Sequence, residues 1–161
     1  MGFRSGATRA SINKHRRISK QPVSDTLEEL WRITNGTELP IFARPGFYQS
    51  YSLMSIEESL AESASMERYE GNYRDYVEPK PRDPRIRPGW YHAGWVPFAS
   101  SGASLWLMED HAPEPGGIAG QIIGYIHDPD QIVWVANSLT ELLPTSATQL
   151  ESAPDEYGIE Y

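Results

Sequence analysis

Four short apolar segments separated by turn residues occupy the second half of the chain, and they constrain its fold more than any other feature. They are "GWVPFAS", "SLWLMED", "AGQIIGYIHD" and "QIVWVAN", beginning at residues 94, 104, 119 and 131. Each has the length and apolar character of a strand, and small residues, Gly, Pro or Asp separate it from the next. Strands that follow one another through short turns pair antiparallel. The pattern therefore predicts an antiparallel meander over residues 94–137.

The first half combines helix-start signals with one further strand. "GFYQSYSL" (46–53) alternates and is rich in β-forming residues, which predicts a strand. A side chain that accepts a hydrogen bond from the first turn, followed three residues later by Glu, predicts a helix N-terminus. Three such pairs occur: Asp25 with Glu28, Ser55 with Glu58, and Ser138 with Glu141.

These signals predict three helices. The first covers residues 26–34 and ends at Asn35-Gly36, the second runs to Gly71, and the third is short because Pro144 closes it. Residues 72–91 contain four prolines among charged residues and are expected to form a long surface loop. The predicted fold class is α+β, with an antiparallel or mixed β-sheet of about five strands flanked by short helices.

Charge is distributed unevenly along the chain. The formal net charge is −8, yet residues 1–20 carry six basic side chains and no acid, so the remainder sums to −14. We therefore divide the chain into a basic N-terminal arm (1–21), a domain (22–143) and an acidic C-terminal tail (144–161). An acidic body disfavours nucleic acid and anionic membranes as partners and favours a basic protein, although acidic excess is also common on surfaces that only confer solubility.

The absence of cysteine excludes disulfides and thiolate chemistry, and no apolar run approaches the ~20 residues that span a bilayer. We expect a cytoplasmic protein with no membrane partner.

Motifs for catalysis are missing. There is no G-x-S-x-G turn, and "GGIAG" (116–120) precedes a strand rather than the helix that a phosphate-binding loop requires. The sequence therefore predicts no catalytic residue, metal or cofactor. A small metal-dependent hydrolase is a remote alternative, since histidines and aspartates lie near predicted strand ends, although no two histidines have a metal-ligand spacing. These residues are His92, His111, His127, Asp110 and Asp128.

Several segments in a fixed order resemble the SMI1/KNR4 family, also called the SUKH superfamily. They are "LWRITNGTEL", "YSLMSIEESL", "GWVPFAS", "PEPGGIAGQII", "HDPD" and "VWVANSLTELL". The resemblance covers about residues 22–143. Two features differ from the family pattern: residues 101–104 lack its usual Asp and Gly-Asn pair, and residues 1–20 match its first helix poorly.

The resemblance implies an α+β domain without enzyme activity that binds other proteins. Bacterial members of the family are immunity proteins that neutralise toxins, including nucleases, whereas fungal members are linked to cell-wall synthesis. The chain is therefore expected to be an immunity protein for a cognate toxin encoded nearby, for example a basic nuclease. An intracellular scaffold or regulatory module is the alternative.

An acidic rim around an aromatic anchor is the candidate site for that partner. Acidic turns follow two strands of the predicted sheet and could lie within reach of each other, and interfaces combine aromatic centres with charged edges. The simpler interpretation is that the tryptophans are core residues and the acids are solvated turn residues. The candidate residues are Trp106, Glu109, Asp110, Glu114, Asp128 and Asp130, with Trp134 as a second possible anchor.

Overall fold

The computed structural model of the protein describes residues 2–102 and 104–153, which form helices and one meandering sheet. The helices are α1 (Arg9–Ser19), α2 (Asp25–Ile33), α3 (Ile56–Tyr69), which continues into a 3₁₀ turn (Glu70–Tyr73), and α4 (Leu139–Ser152). The strands are β1 (Phe42–Ala43), β2 (Ser50–Leu53), β3 (Trp95–Ser101), β4 (Leu105–Asp110), β5 (Gln121–Ile126) and β6 (Gln131–Ala136).

The strands pair in sequence order, each antiparallel to the next. This confirms the α+β class and the antiparallel meander, and within the described residues the sheet has six strands where about five were expected. The additional strand is β1, which is only two residues long and pairs Phe42 with Tyr51 of β2. A two-residue strand carries too little alternation to be recognised in a sequence.

Side chains alternate between the two faces of the sheet along each strand, and a hydrophobic core packs against each face. In β4, Leu105 and Leu107 face one hydrophobic core, whereas Trp106 and Met108 face another. The first core contains residues from all four helices, among them Ile12, Leu27, Ile56 and Leu139. The second core lies on the opposite face of the sheet, and a different part of the chain covers it.

The proline-rich segment after α3 supplies that cover. Beyond the 3₁₀ turn it contains no helix or strand up to β3, as predicted, but it is more than a surface loop. Ile86 and Trp90 are buried with Trp95, Ile123 and other residues of the second core. The segment thus replaces a helix as the third layer of the fold.

The helices begin with side-chain caps at or next to the residues that the sequence predicts. Ser55 and Glu58 form the predicted capping box of α3. In α2 the cap is Ser24 rather than Asp25, which is the first helical residue. The prediction that Pro144 ends the last helix is wrong: α4 continues to Ser152, because Ser146 and Leu150 are buried and the Ser146 hydroxyl accepts a 3.0 Å hydrogen bond from the Ala43 amide. The packing of these residues compensates for the backbone hydrogen bond that proline cannot donate.

The N-terminal segment lies against the rest of the fold. Ile12 and His15 of α1 are buried, and Arg16 pairs with Glu28 of α2. Gly6 lies so close to α2 that a Cβ there would be 2.0 Å from the Arg32 carbonyl oxygen. The division of the chain at residues 21 and 144 stays a prediction, and residues 154–161 of the acidic tail lie outside the described residues.

Two of the predicted rim residues, Glu109 and Asp110, are fully buried at the end of β4. The Glu109 carboxylate accepts hydrogen bonds from the Ser24 amide (2.9 Å) and hydroxyl, and it contacts His111 at 3.1 Å. Asp110 accepts from the Ala112 amide and the Gln121 side chain, both at 2.9 Å. Because these carboxylates tie β4 to α2 and to the following turn, the prediction that they form an exposed acidic rim is wrong.

His15 is buried beneath α1, and its ring lies 5.0 Å from that of Trp31. Burial lowers its pKa to about 4, while the nearby Glu109 carboxylate acts in the opposite direction. The neutral imidazole is therefore the form that the folded chain holds at neutral pH.

Replacing Glu109 with Lys should lower the free energy of unfolding by about 3 kcal/mol or more, because it buries an ammonium group and removes the acceptor from Ser24. Glu109→Gln keeps an acceptor and should cost about 1–2 kcal/mol. Glu29→Lys, the same charge reversal at an exposed position of α2, should change stability by about 0.5 kcal/mol or less. Urea unfolding measures all three, and equal losses for Glu109→Lys and Glu29→Lys would contradict this role of Glu109.

Titration of His15 should make stability depend on pH in a defined window. The imidazole has a folded-state pKa of about 4 and an unfolded pKa near 6.5, so the unfolded chain binds the extra proton between these values and stability falls as pH drops. We expect wild type to lose about 2 kcal/mol more than His15→Leu between pH 7 and pH 4.5. Urea unfolding at both pH values measures the difference, and parallel losses in the two proteins would refute it.

Candidate functional site

A half-open groove lies beside the second core. It is bordered by α3, the proline-rich segment, the start of β4 and the end of β5. Its volume is about 560 Å³, within the range of binding pockets. We call it the aromatic groove, because tyrosine and tryptophan rings form most of its lining. The lining residues are Glu62, Ser65, Met66, Tyr69, Asn72, Tyr73, Tyr76, Trp90, Trp106, Tyr125 and Asp130.

The register of the strands positions the residues that line the groove on the side of the sheet. Trp106 of β4 lies directly opposite Tyr125 of β5, and their ring centroids are 5.2 Å apart. The turn that follows β5 brings Asp130 beside the same pair. Trp106 is half-buried, so part of its indole faces the solvent in the groove.

Aromatic packing holds the other side of the groove. Tyr73 stacks on Trp90 with centroids 4.2 Å apart and planes inclined by 13°, and Tyr76 meets both rings edge to face. Trp90 is largely buried, whereas Tyr69 and Tyr76 are 52% and 38% exposed. The groove therefore has a packed floor and an exposed aromatic rim.

Asp130 is the polar centre of the groove. Its Oδ2 accepts hydrogen bonds from the phenol groups of Tyr73 (2.7 Å) and Tyr125 (3.0 Å), and the two phenol oxygens also contact each other. Tyr76 donates to the Asp130 backbone carbonyl at 2.7 Å, and the Asp130 Oδ1 contacts His127. Tyr73 from the 3₁₀ turn, 57 residues away, thus meets Tyr125 and His127 from the adjoining strand and turn at one carboxylate.

The electrostatic environment keeps that carboxylate charged. Burial alone would raise the pKa of Asp130, but hydrogen bonds from Tyr73 and Tyr125 together hold it below its usual range. Burial raises the pKa of Tyr125, and so do its contacts with Tyr73 and Asp130. Burial and the hydrogen bond to Asp130 likewise raise the pKa of Tyr73. At neutral pH both phenols keep their protons and Asp130 is negative.

The candidate residues from the sequence separate into two groups. Because β4 and β5 are antiparallel, the connection 111–120 and the turn 127–130 lie at opposite ends of β5. The expectation that their acids lie within reach of each other is therefore wrong. The structure does bring Trp106 and Asp130 together in the aromatic groove.

The remaining candidates lie outside the groove. Glu114 is partly exposed in the β4–β5 connection, at the same end of the sheet as the buried Glu109 and Asp110. Asp128 is exposed in the turn after β5 and does not line the groove. Trp134 is half-buried, and the Arg85 guanidinium lies 3.8 Å from its ring centroid.

The histidines considered for a metal site are separated in the fold. His111 pairs with Glu109, His127 pairs with Asp130 at the other end of β5, and His92 accepts from the Gly94 amide at 2.9 Å. Among the residues that the structure describes, no group of three potential ligands is placed to hold a metal ion. No helix of this described part is long and apolar enough to cross a bilayer.

Sequence reasoning missed Tyr73, Tyr76 and Trp90. They lie in the segment whose prolines and charges indicated a loop, and its aromatic residues received no weight. The signal that could have found them is the presence of four large aromatic residues, Tyr91 included, in an otherwise charged, proline-rich stretch. Such residues need a surface to pack against.

Comparison with known proteins agrees with the fold. The SMI1 / KNR4 family (SUKH-1) matches residues 6–145, which include α1 as well as the segments that carry the resemblance. The chain is also similar to the cell wall assembly regulator SMI1 of Saccharomyces cerevisiae, with 32% identity over 98 residues. That alignment covers 58% of this chain and 19% of the yeast protein, so the chain corresponds to a small part of this relative. The chain belongs to the SMI1/KNR4 family (SUKH-1).

Proposed function

We propose that the protein is a non-catalytic interaction domain of the cytoplasm that acts as an immunity protein, and that its partner docks at the aromatic groove. The observation that carries this proposal is the groove itself, where exposed tyrosine rings and a half-buried tryptophan surround a charged carboxylate. A few residues carry most of the binding energy of typical interfaces, and tryptophan and tyrosine are enriched among them.

Charge supports a basic protein as the partner. Residues 21–161 carry an excess of 14 acidic charges, and the charged side chains that line the groove are Glu62 and Asp130. Such a field accelerates the approach of a basic protein and repels nucleic acid. The proposed partner is a cognate toxin of basic charge, such as a nuclease, encoded next to the gene for this chain.

A regulatory module is the second candidate. Its support is the similarity to a yeast protein that is named a cell wall assembly regulator. In this case the same groove would dock an intracellular protein that is not a toxin. A gene with no toxin-like neighbour would favour this candidate.

The test is to purify the toxin-like product encoded beside this gene, in an inactivated form, and to measure its binding by calorimetry over a salt series. We expect the affinity to fall as salt rises, because long-range attraction between the two proteins is screened. Tyr69→Ala should weaken binding at least about tenfold, because it removes an exposed ring from the groove.

The matched control is Tyr48→Ala, since Tyr48 is also an exposed tyrosine but does not line the groove. Its affinity should match wild type. Equal effects of the two substitutions would move the docking site elsewhere. Failure of the toxin-like protein to bind at all would refute the immunity role.

A further inference from the structure

Three oxygens meet at the centre of the aromatic groove. The Tyr73 Oη, the Tyr125 Oη and the Asp130 Oδ2 are all in mutual contact. Each phenol carries a single hydrogen and an ionised carboxylate carries none, so three contacts share two hydrogens. The phenol and carboxylate oxygens thus keep lone pairs that these two hydrogens do not use, and a ligand with N–H groups can donate to them.

The charges around the groove favour a donor that is a cation. Glu62 and Asp130 are the charged lining residues, and no Lys, Arg or His is among the described residues that line it. Burial raises the pKa of Glu62, because the charged carboxylate is partly removed from water. His127 contacts the other oxygen of Asp130 from the neighbouring turn. An anionic ligand would meet these two carboxylates and no Lys or Arg side chain in the described lining.

The chain's own arginines show which cation suits this face of the sheet. The Arg85 guanidinium lies 3.8 Å from the ring centroid of Trp134, and that of Arg82 lies 5.1 Å from the ring centroid of Trp90. Arg82 is held by Glu78 and by two backbone carbonyls in a separate cavity, so it does not fill the groove. Guanidinium groups therefore already pack on the indole rings of the second core.

We propose that the aromatic groove receives an arginine side chain of the partner protein. The flat guanidinium would lie against the exposed ring of Trp106 and donate in its own plane to the oxygens around Asp130. Guanidinium can stack and donate simultaneously, whereas the ammonium group of lysine is a compact charge without a flat face. This inference rests on the proposed function for the identity of the partner, but not for the chemistry of the groove.

The test uses two short peptides and the whole chain. Acetyl-Gly-Arg-Gly-amide is titrated by ¹H–¹⁵N NMR, and the matched probe replaces arginine with citrulline, which is neutral and nearly the same shape. The arginine peptide should bind at least about fivefold more tightly. The indole signals of Trp90 and Trp106 should move, whereas that of Trp31, which lies in the first core, should not.

Two substitutions locate the site. Asp130→Asn should weaken binding of the arginine peptide about tenfold, because the amide keeps the shape but not the charge. Asp128→Asn removes the same charge two residues away and should leave the affinity unchanged. Glu62→Gln removes the other groove charge without touching the tyrosines, so it tests the same point if Asp130→Asn alters the fold.

The outcomes separate this inference from the proposed function. Equal binding of the two peptides, movement of the Trp31 signal instead, or no shift up to about 50 mM peptide would overturn the arginine site. A toxin whose affinity is unchanged by Asp130→Asn and Glu62→Gln would also overturn it while leaving the immunity role intact. If the chain binds the arginine peptide selectively but binds no toxin, the arginine site is supported and the immunity role is refuted.

Discussion

The carboxylate of Glu109 is the contact on which the arrangement of helices and sheet depends. It has no exposed surface, so the free energy of removing it from water must be offset by groups at fixed positions. Ser24 provides a backbone amide and a hydroxyl, and the same hydroxyl accepts from Leu27 as the cap of α2. A single side chain thus sets where α2 begins and which end of β4 it meets. Asp110 performs the corresponding task on the other side of β4 by fixing the turn that leads to β5.

The groove is a consequence of how the second face of the sheet is covered. A helix presents a regular row of side chains and would pack closely along the strands. The proline-rich segment instead packs through a few large residues, chiefly Ile86 and Trp90, and its tyrosines lie at the edge of this contact. An opening lined by rings is left between this segment and α3. The fold therefore creates its candidate binding site where its packing is least regular.

Much of the fold could be predicted because its signals are local. Strands β3 to β6 follow from short apolar segments and the turn residues between them, and Ser55 marks the start of α3 three residues before its partner Glu58. The parts that could not be predicted depend on pairs distant in sequence. Ser24 and Glu109 are 85 residues apart, and Tyr73 and Tyr125 are 52 apart. No local pattern distinguishes an acid at a strand end that turns inward from one that faces the solvent. For the same reason α4 passes Pro144, since the contact of Ser146 with Ala43 spans 103 residues.

Because some acidic side chains are buried and others are exposed, the net charge of the chain does not describe the charge of its surface. A count of −8 treats all carboxylates alike, but the field that a partner meets comes from those near the surface. Glu109 and Asp110 are enclosed by their own donors, and Glu28 is shared by Arg16 and Arg32. Asp130 differs from these, because its partners are phenols that supply hydrogens but no positive charge, and its one imidazole contact lies on its other oxygen. The carboxylate set among aromatic rings therefore has no Lys or Arg beside it in the described lining of the groove, which is the property that suits it to a cation from a partner.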